Sequence, residues 1–269
     1  MRTWFITGAG RGLGRLIAEH AIEAGDNVVG TARRPEVLDD LVAGSGGRLV
    51  VLPLDVTDRA AVFTTVEKAA AAFGRLDVVV NNAGFGLMGA VEEVGEDDAR
   101  AIMETNFFGA LWVTQAVLPV LREQGEGRIL QMSSVSGLMA VPTMGLYNAG
   151  KFALEGLSDA LAQEVEGFGV HVTLVEPRIY ATDFMGASLK MSPMNPAYDP
   201  VRAALMAKYA DGVPGDPVKV AEAVLELVAS DAPPRRLLLG DGDFDVIMEL
   251  HQSRVAEWRS WEPVSRAAG

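Results

Sequence analysis

The chain has 269 residues, 49% of them hydrophobic, enough to bury a sizeable core, and it is read as one domain over residues 1–269. It has no cysteine and three widely separated histidines, His20, His171 and His251, which excludes disulfides and thiolate chemistry and leaves no metal-ligand spacing, so no metal is expected. A formal net charge of −13 opposes binding to a nucleic-acid backbone. With no long apolar run and no secretory leader, the expectation is a cytoplasmic protein with neither nucleic acid nor membrane as partner.

Short β-branched apolar runs alternate with longer helical patterns along the chain. Strands are predicted over residues 4–7, 27–31, 49–54, 76–81, 128–132, 170–175 and 236–239, and helices over 13–24, 60–73, 97–122, 147–166 and 218–229. Such alternation is the pattern of repeated βαβ units. The expected fold class is therefore α/β: a single-domain, doubly wound Rossmann fold with a seven-stranded parallel sheet and helices on both faces. Residues 183–217 break the rhythm with five prolines and scattered methionines, so they read as a substrate-loop insertion with room for one helix. The tail, 262–269, reads as frayed.

Directly after the first strand comes Thr7-Gly8-Ala9-Gly10-Arg11-Gly12-Leu13-Gly14, a turn whose missing side chains let the backbone approach a pyrophosphate at a helix N-terminus. Gly8, Arg11, Gly12, Leu13 and Gly14 are the candidate contacts. At the end of the second strand, where an acid would hold the ribose of NAD, stands Thr31-Ala32-Arg33-Arg34. Arg33 would clamp the 2′-phosphate of NADP(H) instead, with Arg11 as a second cation. Asp55-Val56 and Asn81-Asn82-Ala83-Gly84 both end strands on the same side of the sheet. Asp55 and Val56 are assigned to the adenine, and Asn81, Ala83 and Gly84 to the adenine-side ribose.

The fifth strand ends in Met132-Ser133-Ser134, and Tyr147 and Lys151 lie four residues apart on the next long helix, hence on one face. A neighbouring ammonium plus an oxidised nicotinamide would stabilise the phenolate and pull its pKa toward neutrality, so that Tyr147 can exchange protons. A serine at the strand end can hydrogen-bond a substrate oxygen while hydride moves to or from the carbonyl carbon.

Taken in order, the glycine turn, the Asn81–Gly84 run, Ser134 and the Tyr147/Lys151 pair resemble the short-chain dehydrogenase/reductase family in its TGxxxGxG, NNAG and YxxxK branch. The local phrases resemble its hydroxysteroid- and retinol-dehydrogenase-like members. The resemblance covers roughly residues 3–182. It selects Ser134 over Ser133, because the family's serine stands thirteen residues before the tyrosine. It also implies a catalytic role for Asn106, holding a water that relays protons through Lys151, and a second role for Lys151 in binding the nicotinamide ribose. Tyr147, Pro177, Tyr180 and Thr182 complete the implied cofactor contacts, and paired long helices imply a homodimer or homotetramer.

Two positions depart from the family pattern: Gly150 stands where serine usually precedes the lysine, and Arg178 replaces the glycine after Pro177. Arg178 either recognises a carboxylate-bearing or otherwise polar substrate or is a tolerated or engineered substitution whose side chain reaches solvent, and the second reading is preferred. The expected substrate lining is Phe85, Met88, Met139, Val141, Met144, Arg178, Phe184 and Met185, with Met191 and Met194 beside them. A bulky, apolar carbonyl or alcohol would suit it. The alternative function is a catalytically silent NADP-binding sensor or scaffold; a dehydratase or epimerase would usually carry a larger substrate domain.

Overall fold

The computed structural model describes residues 1–210 and 212–269, and the side chain of Met185 lies outside the described residues. In chain order the elements are β1 (Thr3–Ile6), α1 (Gly12–Glu23), β2 (Asn27–Ala32), α2 (Asp39–Gly44), β3 (Leu49–Pro53), α3 (Arg59–Phe73), β4 (Val78–Asn81) and β5 (Gly86–Met88). There follow α4 (Glu96–Met103), α5 (Gly109–Gln124), β6 (Gly127–Met132), α6 (Gly145–Val165), β7 (Val170–Pro177) and β8 (Leu189–Met191). The chain ends with α7 (Asp199–Tyr209), α8 (Pro217–Ala229), β9 (Arg236–Leu239), α9 (Asp243–Ser260) and α10 (Glu262–Ala267).

Every residue of β1 and of β4 is buried, because both faces of a parallel sheet are covered by crossover helices. The seven-stranded sheet runs β3-β2-β1-β4-β6-β7-β9, with all pairs parallel. One apolar core joins α1 and α8 to the sheet through Ile17, Ala21, Val220 and Val224. On the other face, Val62 and Val66 of α3, Val113 and Val117 of α5 and Leu161 of α6 form the second. Strand order reverses between β1 and β4, so the loops leaving their C-terminal ends diverge and open a crevice there.

The helix predicted over 97–122 is in fact α4 and α5 joined by a single π turn, Glu104–Phe108. A π turn inserts one residue without interrupting the apolar pattern, so periodicity reads straight through it. Gly109 follows the turn where a Cβ would lie 2.6 Å from Val56 Cγ2. The insertion contains α7 and also the short strand β8, which pairs in parallel with β5 as a second, two-stranded sheet. The tail expected to fray is helical through Ala267 as α10. No helix among the described residues is long and apolar enough to cross a membrane.

Candidate active site

At the crevice, the turn after β1 is fastened to the turn after β4. Thr7 Oγ1 accepts from the backbone N–H groups of Asn82 and Ala83, both at 3.0 Å, and Asn82 Nδ2 donates to the carbonyls of Thr7 (2.9 Å) and Gly8 (3.1 Å). Gly14 serves this closure: a Cβ on it would lie 2.3 Å from Asn82 Nδ2 and 2.6 Å from Gly8 O. Gly12 opens α1 at φ +57, with only Thr182 Cβ, at 3.9 Å, near the place of a side chain. Backbone in that region favours glycine.

Asn81 corrects the sequence reading. It is buried in the sheet, where its Nδ2 donates to Gln131 Oε1 (3.0 Å) and Thr114 Oγ1 (3.1 Å), and it does not line the cleft. The residue of this run that matters at the glycine turn is Asn82, which the sequence reading passed over. In a strand, neighbouring side chains point to opposite faces, and only the exact strand end decides which asparagine turns outward.

The crevice opens into a cleft of about 990 Å³. One end is walled by Arg11, Arg33, Asp55 and Val56, the middle by Gly8, Gly12, Leu13, Ala83 and Gly84, and the other end by Asn106, Ser134, Tyr147, Lys151 and Pro177. Tyr180 and Thr182 also line it, while Gly14 lies behind the wall. Asp55 is held by Thr57, whose N–H and hydroxyl donate to its Oδ1 at 3.0 and 2.8 Å. Arg15 of α1 is already spent on Glu19 (2.8 Å) and Asp40. By contrast, no ion pair among the described residues uses Arg11, Arg33 or Arg34, and all three are exposed. A turn bare of side chains and three unspent cations on the cleft wall fit a dinucleotide phosphate.

At the far end, Ser134 caps the short turn Val135–Gly137: its Oγ accepts from Ser136 N at 3.1 Å and lies 3.4 Å from Pro177 O. Tyr147 is 5% exposed; burial pushes its phenol up to about 12, and a hydrogen bond with Ser134 acts the other way. Burial pulls the Lys151 ammonium down to about 8, against the attraction of Glu155. The chain's own groups therefore hold Tyr147 as the protonated phenol at neutral pH. The shift toward neutrality expected of it depends on the ammonium together with an oxidised nicotinamide, and so belongs to the cofactor-bound state.

Asn106 sits on the π turn and uses both ends of its amide on one neighbour. Its Nδ2 donates to Phe85 O (2.9 Å) and its Oδ1 accepts from Phe85 N (3.0 Å). Lys151 Nζ donates instead to Met132 O at 2.6 Å. The Asn106 side chain thus fixes the turn at Gly84 and Phe85 and makes no hydrogen bond to Lys151.

Phe85, Met88, Met139, Val141, Met144 and Phe184 line the same end, and the Phe184 ring lies 5.5 Å from that of Tyr147. Met185 falls outside the described side chains. Met191 and Met194 do not line the cleft; they are 44% and 59% exposed, Met191 on the outer side of β8. Leu189, Leu205, Met206 and Tyr209 take their places. No spacing in the sequence links α7 to the catalytic turn, so these went unread.

Arg178 lines the cleft, with its side chain held by its own neighbours. Thr143 is the one non-glycine residue with positive φ among those described, so Arg178 has replaced glycine without backbone strain. Its side chain lies across Gly240, where a Cβ would meet Arg178 Cδ at 2.3 Å, and Nη1 donates to Asp241 O at 2.8 Å. With Nε 3.3 Å from Asp243 Oδ2, it ties the loop after β7 to the start of α9. No group of side chains suited to a metal ion occurs among the described residues.

Residues 2–192 match the family model described as short chain dehydrogenase. Oxidoreductase BOA17 of Botryotinia fuckeliana is 38% identical over 271 residues, covering 99% of this chain and 99% of that protein. The crystal structure of a short-chain dehydrogenase from Streptomyces avermitilis is 40% identical, with a TM-score of 0.92 and 100% of both chains covered. An alcohol dehydrogenase from the archaeon Thermococcus sibiricus, solved with 5-hydroxy-NADP, is 28% identical, with a TM-score of 0.75 over 89% of this chain and 96% of that one.

Proposed function

The chain belongs to the short-chain dehydrogenase family and is an oxidoreductase, and from that premise we propose that it prefers NADPH and interconverts a ketone or aldehyde with an alcohol, using Tyr147 as general acid and base. The observation that carries this reading is the buried group of Tyr147, Ser134 and Lys151 at one end of a cleft whose other end presents Arg11 and Arg33.

Gly8, Gly12 and Leu13 would hold the pyrophosphate, Arg33 and Arg11 the 2′-phosphate, Asp55 and Val56 the adenine, and Ala83 and Gly84 the adjoining ribose. Lys151, Pro177, Tyr180 and Thr182 would hold the nicotinamide half. When bound, the cofactor supplies or accepts the hydride. Ser134 orients the carbonyl oxygen, and Tyr147, protonated at neutral pH, donates its proton to that oxygen during reduction. Asn106 keeps the Phe85 wall of the site in place.

The apolar lining supports a bulky hydrophobic substrate, and a second groove of about 460 Å³, walled by Met139, Val141, Val201, Ala204 and Leu205, continues from the cleft. Against the alternative of a catalytically silent sensor or scaffold stands the presence of Asn106, Ser134, Tyr147 and Lys151 together in the cleft wall. A cytoplasmic homodimer or homotetramer completes the proposal; Phe107 and Phe108 of the π turn and Trp112 of α5 form an aromatic cluster, and Phe152 of α6 is 39% exposed. Oxidation of NADPH and of NADH with ketones graded in size tests the reading, and equal use of the two cofactors would remove the role given to Arg33.

A further inference from the structure

Helix α6 carries a third polar side chain on the face of Tyr147 and Lys151, one turn further on, at Glu155. It is 6% exposed and touches neither the cleft wall nor solvent to any useful extent. Its partners come from three strands. Ser133 Oγ, at the end of β6, donates to Oε1 at 2.5 Å; Arg236 Nε, on β9, lies 3.2 Å from Oε2; and Glu176, near the end of β7 and 1% exposed, shares that guanidinium with it. Arg236 Nε also lies 3.4 Å from Glu176 Oε1, while its Nη2 donates to Asp159 Oδ2 at 2.6 Å. The turn that carries Ser134 rests on this cluster, since a Cβ on Gly137 would lie 3.0 Å from Glu155 Cγ.

Charge counting decides the state of the cluster. Two buried carboxylates in contact cannot both ionise cheaply, and the single guanidinium that faces them is shared with Asp159. The hydrogen bonds sort the two acids. Glu155 has the Ser133 hydroxyl and Arg236 as donors, whereas Glu176 Oε1 has no hydrogen-bond partner among the described residues. A single proton shared by the pair would therefore sit on Glu176 and leave the negative charge with Glu155.

We propose that Glu155 and Glu176 form a proton-sharing carboxyl pair beneath the catalytic turn, in which Glu155 is a positioning residue that keeps the Lys151 ammonium charged. This rests on the reading of Tyr147 and Lys151 given above. The groups facing Lys151 are the neutral Tyr147 phenol, the Met132 carbonyl and Glu155; behind Glu155 stand Ser133, Glu176, Arg236 and Asp159. Of these, Glu155 is the anion that counters the loss of hydration suffered by the buried ammonium.

The test is the pH dependence of kcat/KM for carbonyl reduction by the full-length enzyme with NADPH. In Glu155→Gln the alkaline limb moves to lower pH by about one unit, and activity recovers as the pH is lowered. In Glu176→Gln the limb moves much less, because that acid stands behind Glu155 and is neutral until the pH rises through its raised value. Ser133→Ala, a smaller perturbation that withdraws the donor holding Glu155 ionised, moves the limb in the same direction as Glu155→Gln and serves if that variant does not fold. A uniform loss of rate at every pH in Glu155→Gln and Ser133→Ala, or an equal shift in Glu176→Gln, would overturn the proposal. Tyr147→Phe separates the two readings: full turnover in that variant sinks the general-acid role whatever the limb does.

Discussion

Lys151 Nζ donates to the Met132 carbonyl at 2.6 Å while standing 5.7 Å from the centroid of the Tyr147 ring. The ammonium is thus anchored to the end of β6, the strand that also delivers Ser134, so the proton donor, its cation and the serine share one rigid corner. Lys151→Met should remove both the anchor and the charge. We expect kcat for reduction to fall by about 10²-fold or more, with the KM for NADPH rising in parallel, measured by steady-state kinetics. A change in KM alone would leave Lys151 with the ribose and nothing else.

Arg33 stands exposed at the mouth of the cleft, outside every ion pair among the described residues, where it would meet a 2′-phosphate. Arg33→Asp replaces a charge-assisted contact with repulsion. The KM for NADPH should rise roughly ten- to a hundredfold, with that for NADH little changed, consistent with about 1.5–3 kcal/mol for a hydrogen bond to a charged group. A parallel loss with both cofactors would place Arg33 in the fold instead.

Gly14 and Gly150 should respond in opposite ways to added side chains. Gly14→Ala drives a methyl group to within 2.3 Å of Asn82 Nδ2 and should cost about 1–3 kcal/mol of stability by denaturant unfolding, together with affinity for NADPH. At Gly150 the nearest atom to a new Cβ is Met103 Sδ at 3.7 Å, an ordinary contact. Gly150→Ser should therefore leave stability and turnover close to those of the parent.

The buried acid Glu176 makes stability depend on pH. Burial and the neighbouring Glu155 raise its folded-state pKa above the unfolded value. Folding then favours the protonated acid, so this contribution is fully present below the ordinary carboxylate range and is lost as pH rises through the raised folded value. Glu176→Gln cannot lose it. The Tm of the variant relative to the parent should climb by several degrees as pH rises from the ordinary carboxylate range to the raised folded value, on the order of 2–4 °C per kcal/mol for a chain of this size, and then level off. A constant offset from pH 5 to 9 would deny the raised pKa.

Much of this was legible because parallel strands announce themselves: β1 and β4 are continuous apolar runs buried on both faces, and the glycine turn, Ser134, Tyr147 and Lys151 follow at fixed spacings. What stayed hidden depends on tertiary contact. The π turn under Asn106 leaves the apolar period intact, and the choice between Asn81 and Asn82 depends on the residue at which β4 ends. Arg178 looked like an intruder at the active-site mouth because Asp241 and Asp243, which hold it, lie more than sixty residues later in the chain. The Glu155–Glu176–Arg236 cluster joins three elements through single side chains with no shared motif.

The most direct measurement is NADPH oxidation by the purified protein with a bulky apolar ketone, before and after Tyr147→Phe. The parent should reduce the ketone and prefer NADPH to NADH, while the variant, still binding NADPH in a fluorescence titration, should lose about 10²–10⁴-fold in kcat. A parent that binds NADPH yet reduces no carbonyl, or a variant with undiminished turnover, would contradict the assignment of Tyr147 as the proton donor of a carbonyl reductase.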